Sequence, residues 1–307
     1  MKLEVRNIHK TFEGNEVLKG VSFSVQSGRA LGLLGRNGAG KTTTIRIIMD
    51  IFHANSGEVL LDGKRFEASK NQVGYLPEER GMYPKKTVLE QMVYFAKLRG
   101  MEKRKAVESA RTWLERLEVL EYEKRKMDTL SKGNQQKVQL AATLVCDPDI
   151  VVLDEAFSGL DPVNSQILKD VIRELIARGK LVIFSSHQMS YVEEFCEDIA
   201  IIDRGETILS GNLDEIKEEY GKGRKILAVQ NMTVLELEKF CMEKLSDVLY
   251  VEGRNKHNII FVMNDGVDQW KVLERIRREN IEIAHYGSYE PLLNDIFVSC
   301  VGGSDRG

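Results

Sequence analysis

The sequence predicts an α/β fold: a P-loop core with a mainly parallel sheet, an antiparallel β subdomain, a helical insertion, and a small α+β (ferredoxin-like) C-terminal domain. Three observations predict it. "GRNGAGKT" (35–42) follows a short apolar strand and opens a helix, the setting that a phosphate-binding loop requires. The runs "DIVVLDE" (149–155), "LVIFSSH" (181–187) and "DIAIIDRG" (198–205) are nearly continuous in apolar residues and alternate with helical stretches. Strands of that kind are buried on both faces, as in a parallel sheet. Beyond residue 225 the order of elements reads βαββαβ, the split βαβ pattern.

Residues 2–8 and 17–25 alternate or run apolar and read as strands. "GRALGLLG" (28–35) is a short buried strand, followed by the Gly-rich turn and a helix from about 40 to 52. "GEVLLDGK" (57–64) reads as a hairpin turning at Asp62-Gly63, a strong two-residue turn signal. "QVGYLP" (72–77) is a strand stopped by Pro77. Residues 87–145 are helical in period, rich in Glu, Lys, Arg and Leu, and lack strand signals, which marks the helical insertion. Later helices begin near Pro162 and Ser190.

The division expected is a first domain over 1–220 and a second over 225–300. "YGKGRK" (220–225) reads as the linker, with two glycines and three cations. The second domain reads as strand 226–230, helix 233–245, strands 248–253 and 258–263, helix 267–279 and strand 281–286. "GGSDRG" at the end reads as a disordered tail.

The chain has 307 residues, 42% hydrophobic and 30% charged, an ordinary globular composition. Its net charge of −3 gives no global basic field to recruit nucleic acid. Cys146, Cys196, Cys241 and Cys300 are far apart with no CxxC pair, as expected of reduced core thiols in a cytosolic protein. "MKLEVRNIHK" lacks the apolar segment of a signal peptide. No stretch approaches the roughly 18 apolar residues of a membrane span. Work at a membrane would therefore need another chain to cross it.

"GRNGAGKT" fits G-x-x-x-x-G-K-[ST] at every fixed position. Gly35, Gly38 and Gly40 let backbone N–H groups, with those of Asn37 and Ala39 among them, curl around phosphate oxygens. Lys41 reaches the β- and γ-phosphates, the Thr42 hydroxyl suits Mg²⁺, and Thr43 can donate a further hydrogen bond to phosphate. "IVVLDE" (150–155) ends in two carboxylates at a strand's C-terminal edge, where such sheets place ligands. Asp154 would hold Mg²⁺, directly or through water. Glu155, on the opposite side of the strand, would orient or deprotonate an attacking water. Two solvated acids ending a strand are the plain alternative, weaker beside a phosphate loop. "LSKGNQQKVQ" (130–139) places Ser131 before a helix, with Lys132 and Gly133 following. Ser131 is an ordinary N-cap, and the same helix start is bare and electropositive enough to hold an anion.

The ordered set "GRNGAGKT", "LSKGNQQ", "IVVLDE", "SGLDP" and "FSSHQ" resembles the ATP-binding subunit of an ABC transporter, over about residues 1–220. That resemblance implies ATP and Mg²⁺ as ligands and two subunits dimerising head to tail. It implies that Ser131 and Gly133 meet the γ-phosphate of the partner's ATP, with Asn134 closing the signature. Phe12 falls where an aromatic ring stacks on adenine, a core phenylalanine being the alternative. His187 falls where a histidine contacts the γ-phosphate, and Asp161 where the dimer seam is organised. The implied partners are an integral membrane permease and a second ATPase subunit, a second copy in a homodimer being the expectation and a paralogue the alternative. The implied location is cytoplasmic, peripheral on the inner face of the cell membrane through the permease.

Three positions depart from the family pattern. Asn134 stands for the usual Gln and keeps the amide. Glu78, after Pro77, stands for the lid Gln and can approach Mg²⁺ or its water as a charged ligand. Ala156 stands for a common Pro. "EERGMYP" (78–84) and the ending "YEPLLNDIFVS" resemble sodium- or drug-efflux subunits with a small extra domain, which implies export. The competing class is a soluble ABC-type regulatory ATPase. Ribosome-acting versions resemble two fused copies, and DNA-repair versions carry coiled coils or zinc motifs; this chain reads as one copy with neither.

Overall fold

The protein was analysed as a computed structural model that describes residues 1–79, 81–157 and 160–302. β1 (Lys2–Phe12) and β2 (Asn15–Gln26) form one long antiparallel hairpin. Its turn residues Glu13 and Gly14 have φ of 47° and 84°, the paired positive values that match strand twist. β3 (Ala30–Leu34) is buried throughout and leads by a loop into α1 (Lys41–Ile48). That helix is shorter than the sequence predicts, because the chain turns away at Asp50 with φ 56°. β4 (Ser56–Leu61) and β5 (Lys64–Arg65) turn at Asp62-Gly63 as expected, with φ of 51° and 76°. These strands form an antiparallel sheet in the order β2-β1-β4-β5.

β6 (Val73–Leu76) is followed by the helical insertion, which contains α2 (Val88–Leu98), α3 (Lys103–Arg116) and α4 (Lys132–Leu144). Thr87 caps α2 in a reciprocal box with Glu90, satisfying two otherwise orphaned N–H groups. β7 (Ile150–Asp154), α5 (Pro162–Ala177), β8 (Leu181–Ser185), α6 (Met189–Phe195) and β9 (Asp198–Asp203) complete the alternation. β10 (Glu206–Asn212) follows as an element the sequence does not announce. It lies on the sheet edge and has no buried residue, so it lacks the apolar run of its neighbours. The sheet order is β10-β9-β3-β8-β7-β6, parallel except for the β10–β9 pair.

The two sheets and α1 share one core, in which Leu3, Val21 and Phe23 meet Leu31, Ile45, Val152 and Ile183. A second cluster is aromatic: fully buried Phe184 lies edge-on to Phe157 and Phe195, at 5.4 and 5.0 Å between ring centroids. Phe184→Ala is expected to cost about 3–5 kcal/mol, the range for deleting a buried aromatic ring. A fall in the urea midpoint of this unit would register it.

The chain separates into two compact units, Met1–Leu213 with the chain from Cys300, and Asp214–Ser299. α7 (Leu213–Gly221) starts at that division. The expected linker 220–225 is largely ordered into elements: Tyr220 and Gly221 end α7, and Arg224 and Lys225 begin β11 (Arg224–Val229), leaving Lys222 and Gly223 between. α8 (Val234–Lys244), β12 (Leu249–Arg254), β13 (Ile259–Met263), α9 (Gln269–Arg278) and β14 (Ile283–Ser288) follow. Their sheet order, β12-β13-β11-β14, is antiparallel at every pair, the ferredoxin-like arrangement expected. Leu237, Cys241, Val272 and Ile276 of the helices pack on Leu227, Val251 and Phe261 of the sheet. α10 (Leu293–Gly302) was not expected from the sequence. The tail "GGSDRG" begins with the last residue of α10, and 303–307 lie outside the described residues.

The four cysteines are free thiols, Cys196 and Cys241 buried and the other two half-buried. Burial pushes the Cys241 thiol up to about 12. Among the described residues no helix is long and apolar enough to cross a membrane.

Candidate functional site

The loop between β3 and α1 sits at the C-terminal edge of the six-stranded sheet, with β9 and β8 on either side of β3. Gly38 and Gly40 have φ of 79° and 110°, conformations that disfavour a side chain. A Cβ at Gly40 would lie 2.5 Å from Leu18 Cδ2, so the site also lacks room for one. The turn joining β9 and β10 fixes the loop: Gly205 N–H donates to Ala39 O at 3.0 Å, and Lys19 N–H donates to Gly205 O at 2.8 Å. Lys41 folds over the loop and donates to Gly35 O (2.8 Å) and Arg36 O (3.3 Å).

A cavity of about 390 Å³ opens here. Its wall contains Asn37, Gly38, Gly40, Lys41, Thr42 and Thr43 of the loop, together with Glu78, Asp154, Glu155 and His187. Gly35 and Ala39 shape the loop and are not on that wall. Val17 and Arg36 are on it, and the sequence did not single them out. Arg36 occupies a variable position of the motif. Val17 carries no local signal and arrives through the β1–β2 hairpin.

Asp154 ends β7 directly opposite Ser185 in the parallel register with β8. The Ser185 hydroxyl donates to Asp154 Oδ1 at 2.5 Å and accepts from Glu155 N–H at 3.2 Å. Asp154 is 1% exposed. Its Oδ2 is buried and has no hydrogen-bond partner among the described residues. Burial raises the Asp154 pKa; the Ser185 hydrogen bond opposes this, Glu78 adds to the rise, and Lys41 and Arg46 oppose it. An orphaned carboxylate oxygen on a residue that shares its cavity with Thr42 fits a divalent cation. No group of three His, Cys, Asp or Glu among the described residues could hold a metal ion alone. That suits Mg²⁺, which is commonly held by one or two carboxylates plus substrate phosphates.

Glu155 leaves the strand with φ 51°, a conformation that non-glycine residues adopt mainly where the surroundings enforce it. Its N–H donates to Ser185 O at 3.1 Å. Its carboxylate Oε2 lies 2.8 Å from His187 Nδ1. Burial raises the Glu155 pKa, against the opposing pull of His187 and Lys41. A carboxylate with a raised pKa, oriented by an imidazole and facing a polar cavity, is equipped to accept a proton from water. Glu78 stands past Pro77 on the same wall and is exposed.

Besides Gly35 and Ala39, five expected site residues lie off this wall: Phe12, Ser131, Gly133, Asn134 and Asp161. Ser131 caps α4, its hydroxyl accepting from Asn134 N–H at 3.3 Å. A Cβ on Gly133 would meet Asn164 Nδ2 at 3.2 Å, so the α4 start lies against the start of α5. Asp161 caps α5, accepting from Val163 and Asn164 N–H at 3.0 and 2.9 Å, with Pro162 in the first turn. The hydrogen bond from the Asn164 backbone N–H, helped by its side chain, holds the Asp161 carboxyl below its usual range. Ser158 and Gly159 of the same motif lie outside the described residues. Phe12 is half-buried, edge-on to Phe52 at 5.3 Å, with the Lys10 ammonium 4.9 Å from its ring centre. A separate cavity of about 410 Å³ is lined by Tyr83, Lys86, Glu90, Gln91 and Tyr94, where Tyr83 and Tyr94 are 54% and 49% exposed.

The family model described as "ABC transporter" matches residues 18–158, and that described as "ATP-binding protein DrrA1-3-like, C-terminal domain" matches 211–301. The chain is 37% identical to the uncharacterized ABC transporter ATP-binding protein YhaQ of Bacillus subtilis, over 98% of each chain. It is 29% identical to the linearmycin resistance ATP-binding protein LnrL of Bacillus subtilis, over 99% of each. Among solved structures, one described as the ATP binding subunit of an ABC transporter is similar with a TM-score of 0.67 and 28% identity, covering 72% of this chain and 94% of that one.

Proposed function

The chain belongs to the ABC transporter ATP-binding proteins, ATPases coupled to transport, and on that footing we propose how it works: as the cytoplasmic subunit of an exporter, paired head to tail with a second copy around two ATP molecules, peripheral on the inner face of the cell membrane beneath a separate integral membrane permease. One observation carries this reading. The phosphate loop, Asp154, Glu155 and His187 share one cavity, while Ser131, Gly133 and Asn134 lie outside it at an exposed or half-exposed helix start. A second subunit gives that helix start a phosphate to meet.

In this reading Gly35 to Thr43 bind the phosphates, and adenine stacks on Phe12. Thr42, Asp154 and Glu78 would hold Mg²⁺, which would supply positive charge against the phosphates. Lys41 turns from its carbonyl partners to the phosphate oxygens. Glu155 orients the attacking water and accepts its proton, with His187 keeping the carboxylate in place. Lys41, His187 and the partner's Ser131, Gly133 and Asn134 stabilise the charge that spreads over the transferred group. Asp161 sits at the seam between the two sites. Loss of the γ-phosphate removes the contacts that hold the pair shut, an order-to-disorder logic shared with other nucleotide switches.

The aromatic cavity at Tyr83 and Tyr94 supports a docking groove for a cytoplasmic helix of the permease, near Glu78 to Pro84. The name of LnrL and the efflux-type motifs support export of an ion or drug. The test is affinity purification of the full chain from solubilised membranes. Co-purification of one integral membrane protein, lost on Tyr83→Asp, is the expected result. Recovery of an active ATPase with no membrane protein would favour the soluble regulatory class instead.

A further inference from the structure

α4 carries a polar row that the mechanism above leaves unused. Gln136, Gln139 and Thr143 stand three and four residues apart, so they share one helix face. Gln136 Nε2 donates to Ala156 O at 3.1 Å, Gln139 Nε2 to Glu79 O at 3.3 Å, and Thr143 Oγ1 to Tyr75 O at 3.3 Å. The row thus spans the strand β6, the segment past Pro77, and the residue after Glu155. Among the described residues β6 is an edge strand, paired with β7. Val73 and Tyr75, two residues apart, turn their carbonyls to the same edge, where Arg99 and Thr143 satisfy them.

Past Pro77 the strand ladder ends, and the Gln139 amide takes over with the Glu79 carbonyl. Gln139 is 5% exposed. A buried amide is favourable only with its hydrogen bonds made, and a purely packing role would be served as well by Leu or Met. The residue before Glu79 is Glu78, on the wall of the nucleotide cavity.

We infer that Gln139 is a positioning residue, whose amide fixes the Glu79 carbonyl and thereby sets the Glu78 carboxylate against the nucleotide cavity. It rests on the reading of that cavity as the Mg²⁺-ATP site. The helix that starts at Ser131 is then tied to the lid of its own chain through the Gln139 side chain.

The test is steady-state hydrolysis by the full chain, titrated with Mg²⁺ at fixed ATP. Gln139→Met removes the donor and keeps the volume; Gln139→Leu serves if that variant does not fold. The expected result is a rise of about 3- to 10-fold in the Mg²⁺ needed for half-maximal rate, the scale of one neutral hydrogen bond. Maximal rate should change less, and the melting temperature should stay within a few degrees. The rise should vanish in a Glu78→Ala background, since both changes act on one carboxylate. Amide exchange over 75–84 should speed up while that over 136–145 does not. An unchanged Mg²⁺ requirement, or full additivity with Glu78→Ala, would overturn the inference. A wild-type chain that hydrolyses no ATP would instead sink the reading of the cavity.

Discussion

Glu155→Gln is expected to lower ATP hydrolysis by about 10²- to 10⁴-fold, the range for losing a positioned general base, while ATP binding is retained. The substitution keeps the size and the hydrogen bond to His187 Nδ1, since an amide oxygen also accepts. What it removes is the proton acceptor. Glu155 suits that role because burial raises its pKa while His187 holds it in place. The neighbouring Asp154 does not suit it: one oxygen is committed to Ser185 and the other is buried. Single-turnover hydrolysis with excess enzyme checks the claim apart from product release. Near-wild-type turnover would remove Glu155 from the chemistry.

Ser131→Arg is expected to lower hydrolysis by about 10²- to 10³-fold, the range for removing one donor to a developing anion, and to leave ATP affinity of the isolated chain unchanged. Ser131 is exposed and lies off the wall of its own chain's cavity. A large side chain there therefore leaves the chain's own cavity untouched. The lost N-cap costs about 0.5–2 kcal/mol, which a chain of this size can absorb. Lys41→Ala sets the contrast, since Lys41 faces its own cavity and its loss should weaken ATP binding directly. Equilibrium binding of a fluorescent ATP analogue, measured beside hydrolysis, separates the two. A Ser131→Arg chain that hydrolyses at the wild-type rate would mean that no second subunit reaches this helix start.

The legible parts of the fold and site were those whose signal is local. The phosphate loop is a contiguous motif between an apolar strand and a helix, so Gly35 to Thr43 could be placed from sequence. Asp154 and Glu155 were legible because a phosphate loop stands in the same chain; two acids ending a strand are ordinary by themselves. Ser185 illustrates the limit. It lies in the quoted "FSSH", but its bond to Asp154 follows from the register of β7 on β8, which no single segment encodes. Val17 reaches the cavity by the same kind of long-range placement. β10 escaped notice because an edge strand with no buried residue has no apolar pattern. Phe12 reads as a platform for a base only through the family resemblance, a core phenylalanine being the alternative. Its neighbour Lys10 shares β1 with it, whereas Phe52 arrives from the turn after α1, which the sequence does not connect to it.

The head-to-tail pair around ATP is the central claim, and the mass of Glu155→Gln in solution tests it most directly. Light scattering after size exclusion should give one chain, 34.9 kDa, without nucleotide, and twice that mass with saturating Mg²⁺-ATP. A species that carries bound ATP and keeps the mass of a single chain would contradict the account.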